Sequence, residues 1–239
     1  MIPWLESDAP FPSVAHALRE PNGLLAAGAD LSPQRLLAAY RRGIFPWFSA
    51  GEPILWWSPD PRMVLLPDAM KISRSLAKTL RHADYTVRLD SAFAQVIAAC
   101  SATPRAGQSG TWIVPEMQAA YLRLHGLGHA HSVETWREGK LIGGLYGIAI
   151  GGAFFGESMF SWATDASKIA LVHLCKHLIS RRFGIIDCQM ETTHLKSLGA
   201  RPIPRSDFLA RVAALVETGD LPGRWPLDAV DGIFRRSPA

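Results

Sequence analysis

The order of periodic segments between residues 115 and 217 constrains the fold of this chain most strongly. The spacing of apolar residues predicts, in chain order, a helix over 115–127, strands near 130–138, 140–150 and 153–159, a long helix over 166–182, a short buried strand over 185–189, and helices near 193–198 and 206–217. Glu138-Gly139 is a hairpin-type turn between the first two strands. This order predicts an α+β fold with a mixed, mostly antiparallel sheet.

The first 62 residues have a different character and predict a small N-terminal domain, followed by a second domain over 63–239 with an irregular C-terminal tail. Ser32-Pro33 starts a helix that Gly43 ends. The segment that follows, GIFPWFSAGEPILWWSPDPR, contains five large aromatic residues, and its prolines exclude a regular helix or a central strand. We therefore expect a rigid aromatic loop there.

Composition excludes several classes of protein. Hydrophobic residues make up 48% and charged residues 19% of the chain, which is typical of a globular protein and excludes a disordered or fibrous one. The longest apolar stretch, Leu141 to Gly156, is too short for a membrane span and is interrupted by glycines. The N-terminus lacks the pattern of a signal peptide. Three scattered cysteines without a CxxC pair favour a reducing cytoplasm.

Charge and aromatic content point weakly to nucleic acid. The net charge is +4, and eight tryptophans is a high number for 239 residues. Basic groups beside exposed aromatic rings are typical of sites for single-stranded nucleic acid or a terminal base. A solvated face for the basic residues and a core position for the tryptophans are the plainer alternatives. The basic clusters are formed by Arg41, Arg42, Arg74, Lys78 and Arg81.

The sequence Gly151-Gly-Ala-Phe-Phe-Gly-Glu-Ser nearly matches the phosphate-binding P-loop, but Glu157 stands where the motif needs lysine. A carboxylate there would repel phosphates, so we reject a nucleotide-hydrolysing function. Close strand packing explains the glycines of this segment but not the glutamate. A glutamate among apolar strand residues is costly unless it is paired or functional, which makes Glu157 a candidate site residue.

Asp187 and Gln189 alternate on the predicted strand 185–189, so they share one face, with Cys188 on the opposite face. An aspartate beside a glutamine can orient the amide and aim its carbonyl oxygen as a hydrogen-bond acceptor. A strand-end cap or a structural network explains the same pair equally well. We interpret Cys188 as a buried packing residue. The histidines lack the spacing of metal ligands, so we expect no metal site.

Two resemblances sharpen this interpretation. The element order resembles the acyltransferase fold of the GNAT superfamily. From Glu20 to Ala200 the chain also closely resembles the leucyl/phenylalanyl-tRNA–protein transferase family. The matching stretches are EPNGLLAAGADLSP, AYRRGIFPWF, WWSPDPR, GTWI, GHAHSVETW, GGLYG, FFGESMFS, ASKIAL, IDCQ and HLKSLGA.

The family resemblance implies an aminoacyltransferase with a GNAT-like catalytic domain over 63–239. It implies transfer of Leu, Phe and also Met from aminoacyl-tRNA to proteins that begin with Arg or Lys, which marks them for degradation by the N-end rule. It implies a reaction without acetyl-CoA, a metal or nucleotide hydrolysis. We take a cytoplasmic monomer without a membrane partner as the default expectation.

The resemblance also implies roles for individual residues. Asp187, Gln189 and Glu157 match the family's catalytic residues, and the two carboxylates would form an anionic socket for the acceptor's cationic residue. Residues around the terminal adenosine and aminoacyl group would be Trp47, Tyr40, Trp112 and Tyr121. The apolar pocket for the donor side chain would be lined by Leu145, Phe154, Met159, Leu171, Leu174 and Ile186. Leu145 stands where the family has Met, which leaves the ranking of Leu, Phe and Met open.

Two other functions compete with this interpretation. An acetyl-CoA-dependent N-acetyltransferase of the same fold needs a glycine-rich pyrophosphate loop before the long helix, but the chain has SWATDASK there. A non-enzymatic tRNA-binding or degradation-adaptor module would not need Glu157, Asp187 and Gln189 beside an apolar pocket.

Overall fold

The fold is described from a computed structural model of the chain, which covers residues 1–82, 84–104, 111–218 and 222–226. The strands are β1 (Trp4–Leu5), β2 (Leu24–Gly28), β3 (Phe45–Pro46), β4 (Leu55–Trp57), β5 (Arg62–Leu65), β6 (Thr86–Leu89), β7 (Ala130–Arg137), β8 (Lys140–Ile150), β9 (Ala153–Ser161), β10 (Ile185–Gln189) and β11 (Arg201–Ile203). The helices are α1 (Pro33–Arg41), α2 (Arg74–His82), α3 (Phe93–Ala102), α4 (Pro115–Gly126), α5 (Ala166–Ser180), α6 (Thr193–Ser197) and α7 (Arg205–Leu215).

Two sheets organise the chain. The larger sheet has seven strands in the order β11-β5-β10-β9-β8-β7-β6, and the smaller has four in the order β1-β2-β4-β3. In the larger sheet only β9 and β10 run parallel, and every other neighbouring pair is antiparallel. The predicted α+β class with a mixed, mostly antiparallel sheet is therefore confirmed.

The larger sheet separates two hydrophobic cores. Adjacent residues on β9 belong to different cores, because side chains alternate along a strand: Phe154 packs on one face and Phe155 on the other. Helices α1, α3, α4 and α7 and the small sheet cover the face of Phe155, whereas α2 and α5 cover the face of Phe154. Each fully buried large apolar side chain contributes roughly 1.5–3 kcal/mol, so both faces of the central strands stabilise the fold.

Most predicted elements lie within two residues of the observed ones. The Ser32 hydroxyl accepts a hydrogen bond from the Arg35 amide at 3.3 Å and starts α1 as expected. Glu138 and Gly139 both have positive φ angles, of 50° and 72°, so the hairpin turn is confirmed. Sequence analysis missed five further strands, which are β1, β2, β5, β6 and β11. The predicted irregular tail after Gly219 falls largely outside the described residues.

The aromatic segment is not the loop that the prolines predict. It contributes β3 and β4 to the small sheet, and its last residue, Arg62, begins β5. The prolines are tolerated because β3 is the edge strand, where Pro46 need not donate to a further neighbour. The Trp56 indole is fully buried and its Nε1 donates to the Gly28 carbonyl at 3.0 Å. The segment therefore forms part of the core.

No helix among the described residues combines the length and apolarity that crossing a membrane requires.

Candidate active site

A gap between β9 and β10 forms the candidate site. The parallel pairing of these strands ends at Phe155 and Asp187. Beyond this point β9 stays paired with β8 as far as Ser161, while β10 stays paired with β5 as far as Gln189. A cavity of about 740 Å³ lies where the two strands separate, which is within the usual size range of ligand pockets.

Each separating strand carries a β-bulge at the cavity. On β9 the register skips Glu157, because Ser158 pairs with Tyr146 and Gly156 with Gly147. On β10 the register skips Cys188, between Asp187 and Gln189. A bulge inserts one extra residue and re-aims the side chains beside it. Glu157 and Gln189 thereby reach the same cavity from different strands.

The cavity brings most of the predicted binding residues together. Its wall is mainly apolar and aromatic, as is usual for a small-ligand site. The predicted residues that line it are Trp47, Trp112, Leu145, Phe154, Met159, Leu171, Leu174 and Ile186. The remaining pair, Tyr40 and Tyr121, is fully buried and stands behind Glu157.

Three side chains form hydrogen bonds with Glu157 at the cavity. Its Oε1 is 2.8 Å from the Tyr40 hydroxyl and accepts from Gln189 Nε2 at 2.8 Å, and its Oε2 is 2.8 Å from the Tyr121 hydroxyl. Burial raises the pKa of Glu157 to about 7, although the hydrogen bonds from both tyrosines and Gln189 oppose this shift. The site therefore holds a carboxyl group that titrates near neutrality.

Gln189 is oriented by Glu157, so the prediction that Asp187 aims the amide is wrong. Asp187 Oδ1 accepts from the main-chain N–H of Gln189 at 2.9 Å and does not contact the amide side chain. The physical reason is the bulge at Cys188 together with a left-handed φ of 61° at Gln189, which breaks the regular alternation of β10. The amide follows the Glu157 carboxyl because its N–H groups need an acceptor.

Asp187 forms a fully buried ion pair with Arg62, a residue that sequence analysis did not select. Arg62 Nε and Nη2 donate to the two carboxylate oxygens at 2.8 and 2.7 Å. The Arg62 guanidinium lies 4.7 Å from the ring centres of both Phe45 and Phe208. The charge of Asp187 is therefore compensated inside the protein. The prediction that Asp187 and Glu157 together form an anionic socket is wrong. The signal that could have indicated Arg62 is an arginine at the start of a buried apolar strand.

Trp47 is held at the cavity by a second residue that sequence analysis left unassigned. Trp57 Nε1 donates to the Trp47 carbonyl at 2.7 Å, and the two indole rings meet edge to face at 5.3 Å. The Trp47 amide donates to the Leu55 carbonyl at 2.9 Å. These contacts fix the main chain of Trp47 while its partly buried ring faces the cavity.

Cys188 also lines the cavity, so the prediction that it faces away from Gln189 is wrong. The bulge at Cys188 is again the cause. Burial, with the neighbouring Asp187 charge, raises the pKa of the Cys188 thiol well above its ordinary value. A protonated thiol is a poor nucleophile, which agrees with a packing role.

The structure separates the basic residues into two clusters. Arg74, Lys78 and Arg81 are exposed along one side of α2, on the sheet face shared with most of the apolar cavity wall. Arg41 and Arg42 end α1 on the opposite face, and the Arg42 guanidinium donates to the carbonyls of Phe11 and Pro12 at 2.8 and 3.1 Å. A single basic surface formed by all five residues is therefore not present.

Metal ligands are not assembled in the part of the chain that the structure describes, where no group of three His, Cys, Asp or Glu residues is arranged to hold an ion.

Comparison with known proteins identifies the family. Residues 64–213 match the family described as leucyl/phenylalanyl-tRNA protein transferase, and residues 29–60 match the N-terminal domain of that family. The chain belongs to the leucyl/phenylalanyl-tRNA–protein transferase family. It is therefore an enzyme, and its class is aminoacyltransferase.

Relatives with the same name are similar over nearly the whole length. A leucyl/phenylalanyl-tRNA–protein transferase of Nitrosomonas europaea is 64% identical over 95% of this chain and 96% of the relative. One of Chromobacterium violaceum is 65% identical over 88% of this chain and 90% of the relative. Among solved structures, a GCN5-related N-acetyltransferase from Kribbella flavida has a TM-score of 0.37 and 10% identity, covering 71% of this chain and 60% of the other.

We predict that Arg62→Met destabilises the protein by about 3–5 kcal/mol, because Asp187 would be left as an uncompensated buried charge. The double variant Arg62→Met/Asp187→Leu should recover much of this stability, since it removes both charges. Denaturant unfolding of both variants measures the effect, with exposed Arg88→Met as the matched control. Equal stability of Arg62→Met and the wild type would contradict the ion pair's structural role.

Proposed function

We propose that the protein transfers Leu or Phe, and also Met, from aminoacyl-tRNA to the N-terminal Arg or Lys of acceptor proteins. The product is a new peptide bond, which marks the acceptor for degradation, and the enzyme acts as a cytoplasmic monomer. The observation that carries this proposal is an apolar cavity with Glu157 and Gln189 beside it, in a chain of this family. An apolar side chain and a reacting polar group would fit there together.

The chemistry asks for positioning more than for strong acid or base. An aminoacyl ester is already activated, so a nearby unprotonated amine needs mainly orientation to attack it. The Gln189 amide nitrogen is engaged by Glu157, which leaves its carbonyl oxygen to accept a hydrogen bond from that amine. This assignment of amide oxygen and nitrogen follows from the hydrogen-bond network. Gln189 would thus orient the nucleophile.

The cavity suits the two halves of the donor. Leu145, Phe154 and Leu171 form apolar walls that can bury a Leu or Phe side chain. Trp47 and Trp112 are partly exposed aromatic residues on the same cavity, and aromatic faces stack on unpaired bases. The terminal adenosine would therefore lie against the tryptophans. The exposed basic residues of α2, which are Arg74, Lys78 and Arg81, would contact the tRNA phosphates.

One assay tests the whole proposal. Purified protein is mixed with a peptide that begins with Arg and with either radiolabelled leucyl-tRNA or radiolabelled acetyl-CoA. We expect label in the peptide only from leucyl-tRNA, and only when the peptide's α-amine is unblocked. Transfer from acetyl-CoA would favour an N-acetyltransferase, while tRNA binding without any transfer would favour a non-enzymatic module.

Gln189→Ala should reduce transfer by ~10²–10³, the usual cost of losing one aligned polar group in an active site. Binding of aminoacyl-tRNA should persist, because the apolar and aromatic walls are unchanged. Single-turnover transfer and filter binding measure the two effects, with the exposed Gln95→Ala as the matched control. Near-normal turnover in a folded Gln189→Ala protein would exclude Gln189 from the reaction. Asp187→Ala is a poorer test, because it leaves Arg62 buried and unpaired.

Binding of tRNA should weaken steeply as salt rises, because phosphate contacts release counterions. Replacing Arg74, Lys78 and Arg81 together by Ala should make the plot of log binding constant against log salt concentration less steep. The slope should fall by about one unit for each phosphate that is no longer neutralised. The matched control replaces exposed Lys140, Arg201 and Arg211. An equal change in both triple variants would place the tRNA-binding surface elsewhere.

Leu145→Ala should shift donor preference from Leu toward Phe, because the buried Leu145 side chain occupies part of the cavity wall. In the wild type the flexible Met side chain should be accepted. Val should be a poor but detectable donor, because the loss of a methylene group costs only ~1–3 kcal/mol. Ile should be disfavoured, because it is branched at Cβ. Transfer from matched tRNAs to one Arg-starting peptide gives the ranking. If Ile equals Leu, or if Leu145→Ala leaves the ranking unchanged, this wall does not select the donor.

A further inference from the structure

Three oxygen-bearing side chains close a ring behind the cavity. The hydroxyls of Tyr40 and Tyr121 are 2.6 Å apart, and each lies 2.8 Å from a different oxygen of Glu157. Tyr40 comes from α1, Tyr121 from α4 and Glu157 from β9, so three separate elements meet at this point. All three O···O distances are those of hydrogen bonds.

The number of hydrogens that the three hydrogen bonds need determines the protonation state of Glu157. Each O···O hydrogen bond needs one hydrogen, so three bonds need three. The two phenols supply one each, and burial raises the pKa of both Tyr40 and Tyr121 above the ordinary value, which keeps them protonated. With an ionised Glu157, one of the three O···O pairs would lack a hydrogen. The geometry is therefore complete only when Glu157 is a carboxylic acid whose O–H donates within the ring.

Among the ring and the groups packed around it, Glu157 is the group whose charge changes near neutral pH. Gln189 donates from β10, and Tyr146 of β8 packs edge to face on Tyr121 at 5.5 Å. Asp187 is the carboxylate whose charge acts on Glu157, and Arg62 of β5 forms an ion pair with it. Cys188 is held in the protonated form by burial, and His194 of α6 is the histidine on the cavity wall.

We propose that the Tyr40–Tyr121–Glu157 ring takes up the proton that the acceptor's N-terminal ammonium must lose before it attacks the ester. This step rests on the proposed function. The ammonium gives one proton to the Glu157 carboxylate, which closes the ring with three hydrogens and frees the amine. The amine then forms the new C–N bond, and its second proton ends on the tRNA ribose oxygen as the C–O ester bond breaks. Glu157 afterwards releases its proton to solvent.

Matched acidities make this transfer feasible. The pKa of Glu157 is raised to about 7 by burial. A terminal amine has a pKa of about 8, so the proton transfer is unfavourable by only about tenfold. The ordinary pKa of glutamate would make the same transfer far less favourable. Burial of Glu157 thereby supplies the base that a glutamine amide cannot.

The first test reads the ring in the free protein and does not depend on activity. Infrared spectra recorded across a pH titration should show the carbonyl stretch of a protonated carboxylic acid, which disappears around a pH of about 7. The band should be absent from Glu157→Gln. In Tyr40→Phe and Tyr121→Phe its midpoint should move to higher pH, because each variant removes a hydrogen bond that favours the ionised form. Tyr85→Phe, whose hydroxyl donates to the Leu80 carbonyl, is the matched control and should leave the band unchanged.

The second test follows transfer to an Arg-starting peptide as a function of pH. Glu157→Gln should reduce transfer about 10²-fold at neutral pH, the usual contribution of a positioned base. Tyr40→Phe should shift the acid limb of the profile to higher pH. The deficit of Glu157→Gln should shrink above a pH of about 8, where the terminal amine has already lost its proton. A merely structural role for Tyr40 would not move the limb.

Each outcome distinguishes the two proposals. No Glu157-dependent infrared band would overturn the three-proton ring. The band with normal transfer by Glu157→Gln would overturn the assigned proton transfer. The band without transfer by the wild-type protein, from any donor, would overturn the proposed function and the transfer step, while the protonated ring would stand.

Discussion

The ion pair between Arg62 and Asp187 lies where β9 and β10 separate, and the geometry of the site depends on it. Asp187 is the last residue of β10 paired with β9, and its carboxylate also accepts from the main chain of Gln189. Removing either charge would leave the other without a partner in the core, which is strongly unfavourable. The pair therefore fixes the β10 backbone immediately before the bulge that brings Gln189 to the cavity.

The same interaction links the small sheet to the larger one. Phe45 of β3 and Phe208 of α7 lie against the Arg62 guanidinium, so the aromatic segment packs on the ion pair that also supports Gln189. Trp47, two residues after Phe45, is thereby positioned from the same anchor. One buried interaction therefore supports the main chain before both Trp47 and Gln189, the two residues that reach the cavity from opposite sheets.

Regular elements could be predicted from the sequence, but the site's internal geometry could not. The helices and long strands follow from apolar periodicity and turn residues, and the cavity wall followed from a family resemblance. The orientation of Gln189 failed because strict alternation holds only in an unbulged strand. An arginine at the start of a buried strand was the local signal for Arg62, but its partner is 125 residues away, and no local pattern indicates that pairing. The prolines led us to predict a loop where β3 and β4 form, because an edge strand tolerates proline and the sequence does not show which strand lies at an edge.

The two bulges make the pocket a local feature of an otherwise ordinary sheet. Deleting the extra residue on β9 or β10 would restore regular pairing and shift the following side chains to the opposite face. Glu157 or Gln189 would then leave the cavity while nearly all of the core packing upstream stayed in place. The presence of both polar side chains at the cavity thus depends on one inserted residue in each of two strands, with no change in the order of the strands.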